Sequence, residues 1–207
     1  MSEEGPTISG FMLRMAENIS QTSRLLNQRD AAAFFFFDEI LKAKRIYVTG
    51  AGRSGFVAKA FGMRLMHLGF ESYVVGETIT PALSGGDTLV AFSGSGETNS
   101  VVDICETAKD LSARICLVTA SRNSRLSRIA DCVVNLGDTT APYEKTPVGY
   151  EVHQITGQYR SVTSSFAPLG ALFETAALIF SDAVISALME ARHSDIDEMK
   201  KRLSNVQ

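Results

Sequence analysis

Ser93-Gly94-Ser95-Gly96-Glu97-Thr98 decides how this chain reads. It follows the apolar run Leu89-Val90-Ala91-Phe92. It opens into a segment, Glu97 to Leu111, where Val101, Val102, Ile104, Cys105, Ala108 and Leu111 recur at helical spacing. That order predicts a strand, a glycine turn and a helix start. Glycines let backbone approach a ligand closely, and a helix N-terminus offers unpaired N–H groups and the positive end of its dipole. With three hydroxyls added, the stretch is an anion cradle that uses neither Lys nor Arg. A plainer reading of the same residues stays open, in which Ser95 or Thr98 only caps the helix.

The same alternation extends in both directions. Arg45 to Thr49 reads as a strand, followed by Gly50-Ala51-Gly52-Arg53-Ser54-Gly55 and a helix from Phe56 to Leu68 that Gly69 closes. Further strands are expected at Ser72 to Val75, Thr88 to Phe92, Arg114 to Thr119 and Asp131 to Leu136, with a short helix near Asn123 to Ile129. Five short apolar strands alternating with helices mean an α/β fold, a parallel sheet covered on both faces in three αβα layers. Two helices, Ile8 to Asn27 and Ala31 to Lys42, precede the first strand. The second carries Phe34, Phe35, Phe36 and Phe37, which wrap all sides of a helix. A subunit interface is the preferred explanation, with full burial inside one chain as the alternative.

Gly137 to Ala167 has no clear periodicity beyond a possible strand at Tyr150 to Ile155, and it carries Pro142 and Pro147. After Pro168 a long helix is expected from Ala171 to Ala191, and Ser194-Asp195-Ile196-Asp197 resembles a capping box for a last helix to Leu203. Residues 1–207 then form one domain, with an N-terminal helical segment at 8–43 and an extended connector at 137–167.

A net charge of -3 gives no long-range attraction for nucleic acid or anionic membrane, so any phosphate must be held locally. Cys105, Cys116 and Cys132 lie in apolar segments without a CxxC spacing, which suits buried thiols in a reducing compartment rather than metal ligands or disulfides. Met1 to Thr7 is acidic and lacks a signal-peptide pattern. The apolar stretches are broken by Asp38 and Glu174, short of the roughly 18 consecutive apolar residues of a spanning helix. A cytoplasmic protein is expected.

Gly50-x-Gly52-x-x-Gly55 after a strand matches a dinucleotide fingerprint, with Glu77 near the place of a ribose-binding acid. Against a nicotinamide enzyme stand the short chain, which leaves little for a substrate domain, and the hydroxyl-rich second loop, which that reading does not explain. A glycine turn needed only for packing is the third possibility.

Gly50-Ala-Gly-Arg-Ser-Gly55, Met63-Arg-Leu-Met-His-Leu-Gly69, Tyr73-Val-Val-Gly-Glu-Thr78, Ser93-Gly-Ser-Gly-Glu-Thr98 and Pro168-Leu-Gly-Ala-Leu-Phe-Glu174 together resemble the 6-phospho-3-hexuloisomerases of the sugar-isomerase (SIS) superfamily. The serine-rich loop marks the superfamily in general, and the other motifs are more particular to these isomerases. The resemblance implies interconversion of D-arabino-hex-3-ulose 6-phosphate and D-fructose 6-phosphate through a cis-enediol. It further implies no metal or organic cofactor, a homotetramer, and a pathway link to a 3-hexulose-6-phosphate synthase. Carried onto this sequence, it makes Ser93, Ser95 and Thr98 the phosphate ligands, aided by Ser54 and the amide groups at the helix start, counts Gly52 and Gly94 among the substrate-binding residues, and makes Glu174 the catalytic base. Arg53 is expected to polarise the carbonyl or steady the enediolate, or else to clamp the phosphate. Glu77 and Thr78 line the pocket or form a plain turn.

The chemistry suits these residue types. Moving a carbonyl from C3 to C2 takes a proton from C2 and delivers one to C3, and one carboxylate serves both. With O6 esterified, a C3 ketone could close only strained four-membered rings, so the 3-ketose is open-chain and needs no ring-opening acid. Related superfamily isomerases of cyclic sugars often employ a histidine. Many hexuloisomerases end in Arg-His-x-Asn, where this chain has Arg202-Leu203-Ser204-Asn205, leaving His67, His153 and His193 as the imidazoles. A second departure is the longer connector. The alternatives to this isomerase are an isomerase of another phosphosugar, a non-catalytic sugar-phosphate-binding protein of the same fold, and an NAD(P)-binding enzyme.

Overall fold

The computed structural model describes residues 7–27, 31–137, 171–194 and 196–203. Helices α1 (Ile8–Asn27) and α2 (Ala31–Lys42) lead into β1 (Ile46–Gly50), α3 (Gly52–His67), β2 (Ser72–Val74), β3 (Thr88–Phe92) and α4 (Asn99–Asp110). The chain continues through β4 (Arg114–Thr119), α5 (Arg125–Ile129), β5 (Cys132–Asn135), α6 (Ala171–Ala191) and α7 (Ile196–Lys201). The five strands form one parallel sheet in the order β2-β1-β3-β4-β5.

Strand alternation divides the core in two. Val48, Val90, Phe92, Cys116, Val118 and Val134 face one side, where they meet Phe61 and Leu65 of α3, Phe36 of α2, and Ala176, Phe180 and Leu188 of α6. Tyr47, Leu89, Ala91, Ile115 and Leu117 face the other, against Val101, Val102, Cys105 and Ala108 of α4 and Leu126 of α5. Every residue of β3 is buried, because helices cover both its faces. The crossovers from β1 and from β3 therefore leave on opposite faces. Their adjacent C-terminal ends form the switch point where open α/β sheets bind ligands.

The boundaries fall close to expectation, with one instructive shift. Helix α3 begins at Gly52, so the glycine turn is itself the first helical turn. The four phenylalanines do not share one fate. Phe36 is fully buried between the rings of Phe61 and Phe180, whereas Phe34 and Phe35 are exposed, which excludes full burial within one chain for these two. Helix α6 is long and apolar enough to cross a membrane by length and composition, yet Phe173, Phe180, Val184 and Ile185 bury its inner face in the domain. All three cysteines are buried and free, and Cys116 and Cys132 are direct register partners. The expected strand at Tyr150 to Ile155 and the connector from residue 138 onward lie outside the described residues.

Candidate active site

Two turns leave the sheet side by side, since Gly50 at the end of β1 is the register partner of Phe92 at the end of β3. In the first, Gly50 and Gly55 serve packing. A Cβ on Gly50 would meet Ser54 backbone at 2.9 Å, and one on Gly55 would meet the Gly50 carbonyl at 2.8 Å. Gly52 differs: it has φ +57° and open space where a side chain would be. Ser54 is buried beside it. No side chain caps this helix start, which leaves its first N–H groups available.

The serine loop is held from beneath. The Gly94 carbonyl accepts bonds from Ala120 N (3.0 Å) and Thr119 Oγ1 (3.2 Å), and the Gly96 carbonyl accepts from Leu126 N (3.1 Å). Gly96 has φ +67°, and any side chain there would collide with Ser124. Ser93 Oγ accepts from Gly96 N and Ser95 Oγ from Glu97 N, both at 3.2 Å. Each hydroxyl keeps its own proton to donate. Thr98 occupies the N-cap position of α4 without a side-chain capping bond. The capping alternative therefore does not describe Thr98, whose hydroxyl is left beside the unpaired amides of the helix start.

Glu174 reaches this edge from the far end of the sequence. It sits in the first turn of α6, where Arg53 Nε donates to its Oε2 at 3.3 Å. Phe173, the residue before Glu174, lies against Gly94 of the serine loop in the same chain. The Glu174 side chain is 14% exposed and that of Arg53 is 66% exposed. Burial pushes the Glu174 carboxyl above its ordinary range, against the opposing pull of the Arg53 charge and hydrogen bond and of its own backbone amide. A carboxylate so placed takes and returns protons more readily than one on open surface.

Residues 39–142 match the SIS domain model, half of the chain. The chain belongs to the SIS-domain family. It is 37% identical over 170 residues to the Bacillus subtilis 3-hexulose-6-phosphate isomerase, covering 82% of this chain and 84% of that one. It is 38% identical over 171 residues to the Methanocaldococcus jannaschii 3-hexulose-6-phosphate isomerase, covering 82% and 81%. A crystal structure from Methanococcus jannaschii, of a protein inferred to be a 3-hexulose-6-phosphate isomerase, superposes with a TM-score of 0.76 at 32% identity, covering 93% of this chain and 97% of that one.

On this SIS domain the remaining expected residues divide. Glu77 is tied to Lys59 of α3 at 2.6 Å, and Thr78 is exposed. Among the described residues no hydrogen bond or ion pair joins either to Glu174 or to the serine loop. His67 is buried at the C-terminal end of α3, where burial and then the Arg64 charge push its imidazole below the ordinary value. About 21 Å of helix separates it from the Arg53 turn. Arg202 packs on Gly69 at that same remote end and donates to the His67 carbonyl at 3.5 Å. The altered Arg202-Leu203 ending thus begins far from its own chain's site. His193 is exposed and His153 lies outside the described residues.

Sequence reasoning passed over the supports of the serine loop. Thr119 and Ser124 are wholly buried beneath it, Ser124 forms a reciprocal capping box with Ser127, and Glu97 Oε1 accepts from Arg125 N at 2.9 Å. The hydroxyl-rich stretch Thr119-Ala-Ser-Arg-Asn-Ser124 after the neighbouring strand was the available signal.

Proposed function

We propose that this chain interconverts 3-hexulose 6-phosphate and fructose 6-phosphate, with Glu174 as the base. The observation that carries the reading is the meeting of Glu174, Arg53 and the serine loop at one end of the sheet, from positions up to 121 residues apart. The names of the Bacillus and Methanocaldococcus relatives support the substrate. Ser93, Ser95, Thr98 and Ser54, with the amides of the two uncapped helix starts, hold the phosphate. That fixes C2 and C3 of the open-chain sugar beside Glu174. The carboxylate removes the C2 proton, Arg53 steadies the oxygen charge of the enediolate while the hydroxyl proton passes from O2 to O3, and the protonated carboxyl returns a proton to C3 as the C2 carbonyl forms.

The homotetramer, the cytoplasmic setting and the supply of substrate by a 3-hexulose-6-phosphate synthase belong to this proposal. Exposed Phe34, Phe35, Phe56 and Ile79 support assembly into an oligomer. Purified protein is expected to convert 3-hexulose 6-phosphate to fructose 6-phosphate in EDTA. Binding without turnover would instead establish a sugar-phosphate-binding protein, and stabilisation by NAD or NADP but not by fructose 6-phosphate would establish a nicotinamide enzyme.

A further inference from the structure

We propose that Phe173 is a positioning residue for this site: its ring, seated on the bare Cα of Gly94, sets the spacing between the serine loop and the Glu174 carboxylate and walls that side of the carboxylate from water. The proposal rests on the isomerase reading above. A Cβ added to Gly94 would lie 3.0 Å from Cδ1, 3.3 Å from Cγ and 3.5 Å from Cε1 of Phe173, so the ring occupies the place of a side chain there. The loop cannot retreat from added bulk. The Gly94 carbonyl is bonded to Ala120 and Thr119, and Ser93 N donates to the Val118 carbonyl at 3.0 Å.

Helix α6 is equally fixed one turn further on, where Ala176, Ala177 and Phe180 are buried in the core. A push at position 94 must therefore be absorbed by Phe173 and by the residue bonded to it, Glu174. Interiors are packed too densely to dissipate such a displacement. Phe173 is itself 6% exposed, and among the described residues the charged group recorded against Glu174 is Arg53 of α3. On this account the raised proton affinity of Glu174 depends on the ring, and the distance from handle to base is set by one aromatic thickness.

The test uses the full chain with Gly94→Ala, Phe173→Leu and the two combined, and folding is checked by circular dichroism. With 3-hexulose 6-phosphate, Gly94→Ala is expected to lower kcat about 3- to 10-fold, because the Phe173 ring must give by a few tenths of an ångström, while KM changes less than about twofold. Phe173→Leu is expected to move the acid limb of kcat to lower pH. The double variant is expected to turn over faster than Gly94→Ala, because the smaller side chain makes room for the added methyl. A Gly94→Ala loss confined to KM, or strictly additive losses in the double variant, would overturn the coupling. A second readout needs no turnover. An NMR titration of the Glu174 carboxyl in wild type and Phe173→Leu should show a fall in its pKa, and an unchanged value sinks the shielding role. Absence of isomerase activity in the wild type would defeat the isomerase reading and leave this titration to judge Phe173.

Discussion

The two ends of the sheet each carry an arginine–carboxylate pair, and the pairs are built in opposite ways. At the N-terminal ends of β1 and β3, Arg45 grips Asp87 through two bonds, Nε to Oδ1 at 3.0 Å and Nη2 to Oδ2 at 2.7 Å. Ser84 adds bonds from its amide (2.8 Å) and hydroxyl (3.2 Å). Burial pushes the Asp87 carboxyl up, but these donors outweigh it and hold it below the ordinary value. At the C-terminal ends, Glu174 has one long side-chain bond, from a largely exposed arginine, besides its own backbone amide, and burial prevails. Burial disfavours both anions. The number of donors around each decides whether the carboxylate is locked as a charge or poised to exchange a proton.

Four substitutions sharpen that contrast. Glu174→Gln should have the largest effect, lowering kcat by about 10²- to 10⁴-fold in a turnover assay with little change in Tm, since it removes a proton acceptor and a burial-disfavoured charge. Asp87→Asn should do the reverse. It removes the charged acceptor shared by the part-buried Arg45 and Ser84 donors, a loss read as a Tm lower by a few degrees, with kcat of the folded protein kept within about twofold. Because its folded pKa is depressed, Asp87 contributes stability above the unfolded value near ~3.9, and that contribution is lost as pH falls through the folded value.

Arg53→Ala should lower kcat about tenfold. It also removes the influence that opposes burial at Glu174, so the acid limb of the rate profile should move to higher pH. In the wild type that limb is itself expected above the ordinary glutamate value of about 4.3, since burial raises the Glu174 carboxyl. Thr98→Val should show the smallest effect, a rise in KM of about fivefold with unchanged Tm, since the hydroxyl makes no capping bond that folding would miss. An unchanged KM would remove Thr98 from the phosphate site.

The sheet was legible because its signal is local. β3 and β4 fall where their apolar runs place them, and α1, α2 and α6 match their periodicity residue for residue. Ends set by turn chemistry moved, as at α3, where Gly52 and Arg53 were expected in a loop and open the helix instead. Within the site, Ser93, Ser95 and Thr98 announced themselves through composition. Glu174 did not do so from spacing, since its approach to Arg53 spans 121 residues and depends on how α6 packs across α3. It is assigned through a resemblance. Thr119 and Ser124 were missed because a buried hydroxyl that supports a neighbouring loop looks, in sequence, like any polar residue of a turn.

Helix α6 has one more consequence, which concerns the order of synthesis. Both glycine turns and all five strands are made before it, but Phe180, Val184, Ile185 and Leu188, which close the core beside α3, arrive on the same helix as Glu174. A nascent chain halted before residue 171 lacks the proposed base and also lacks the apolar surface that completes the domain. Completion of the fold and acquisition of the proposed base are thus expected to coincide, so a premature stop should leave a chain with an open core instead of one that captures sugar phosphate without converting it.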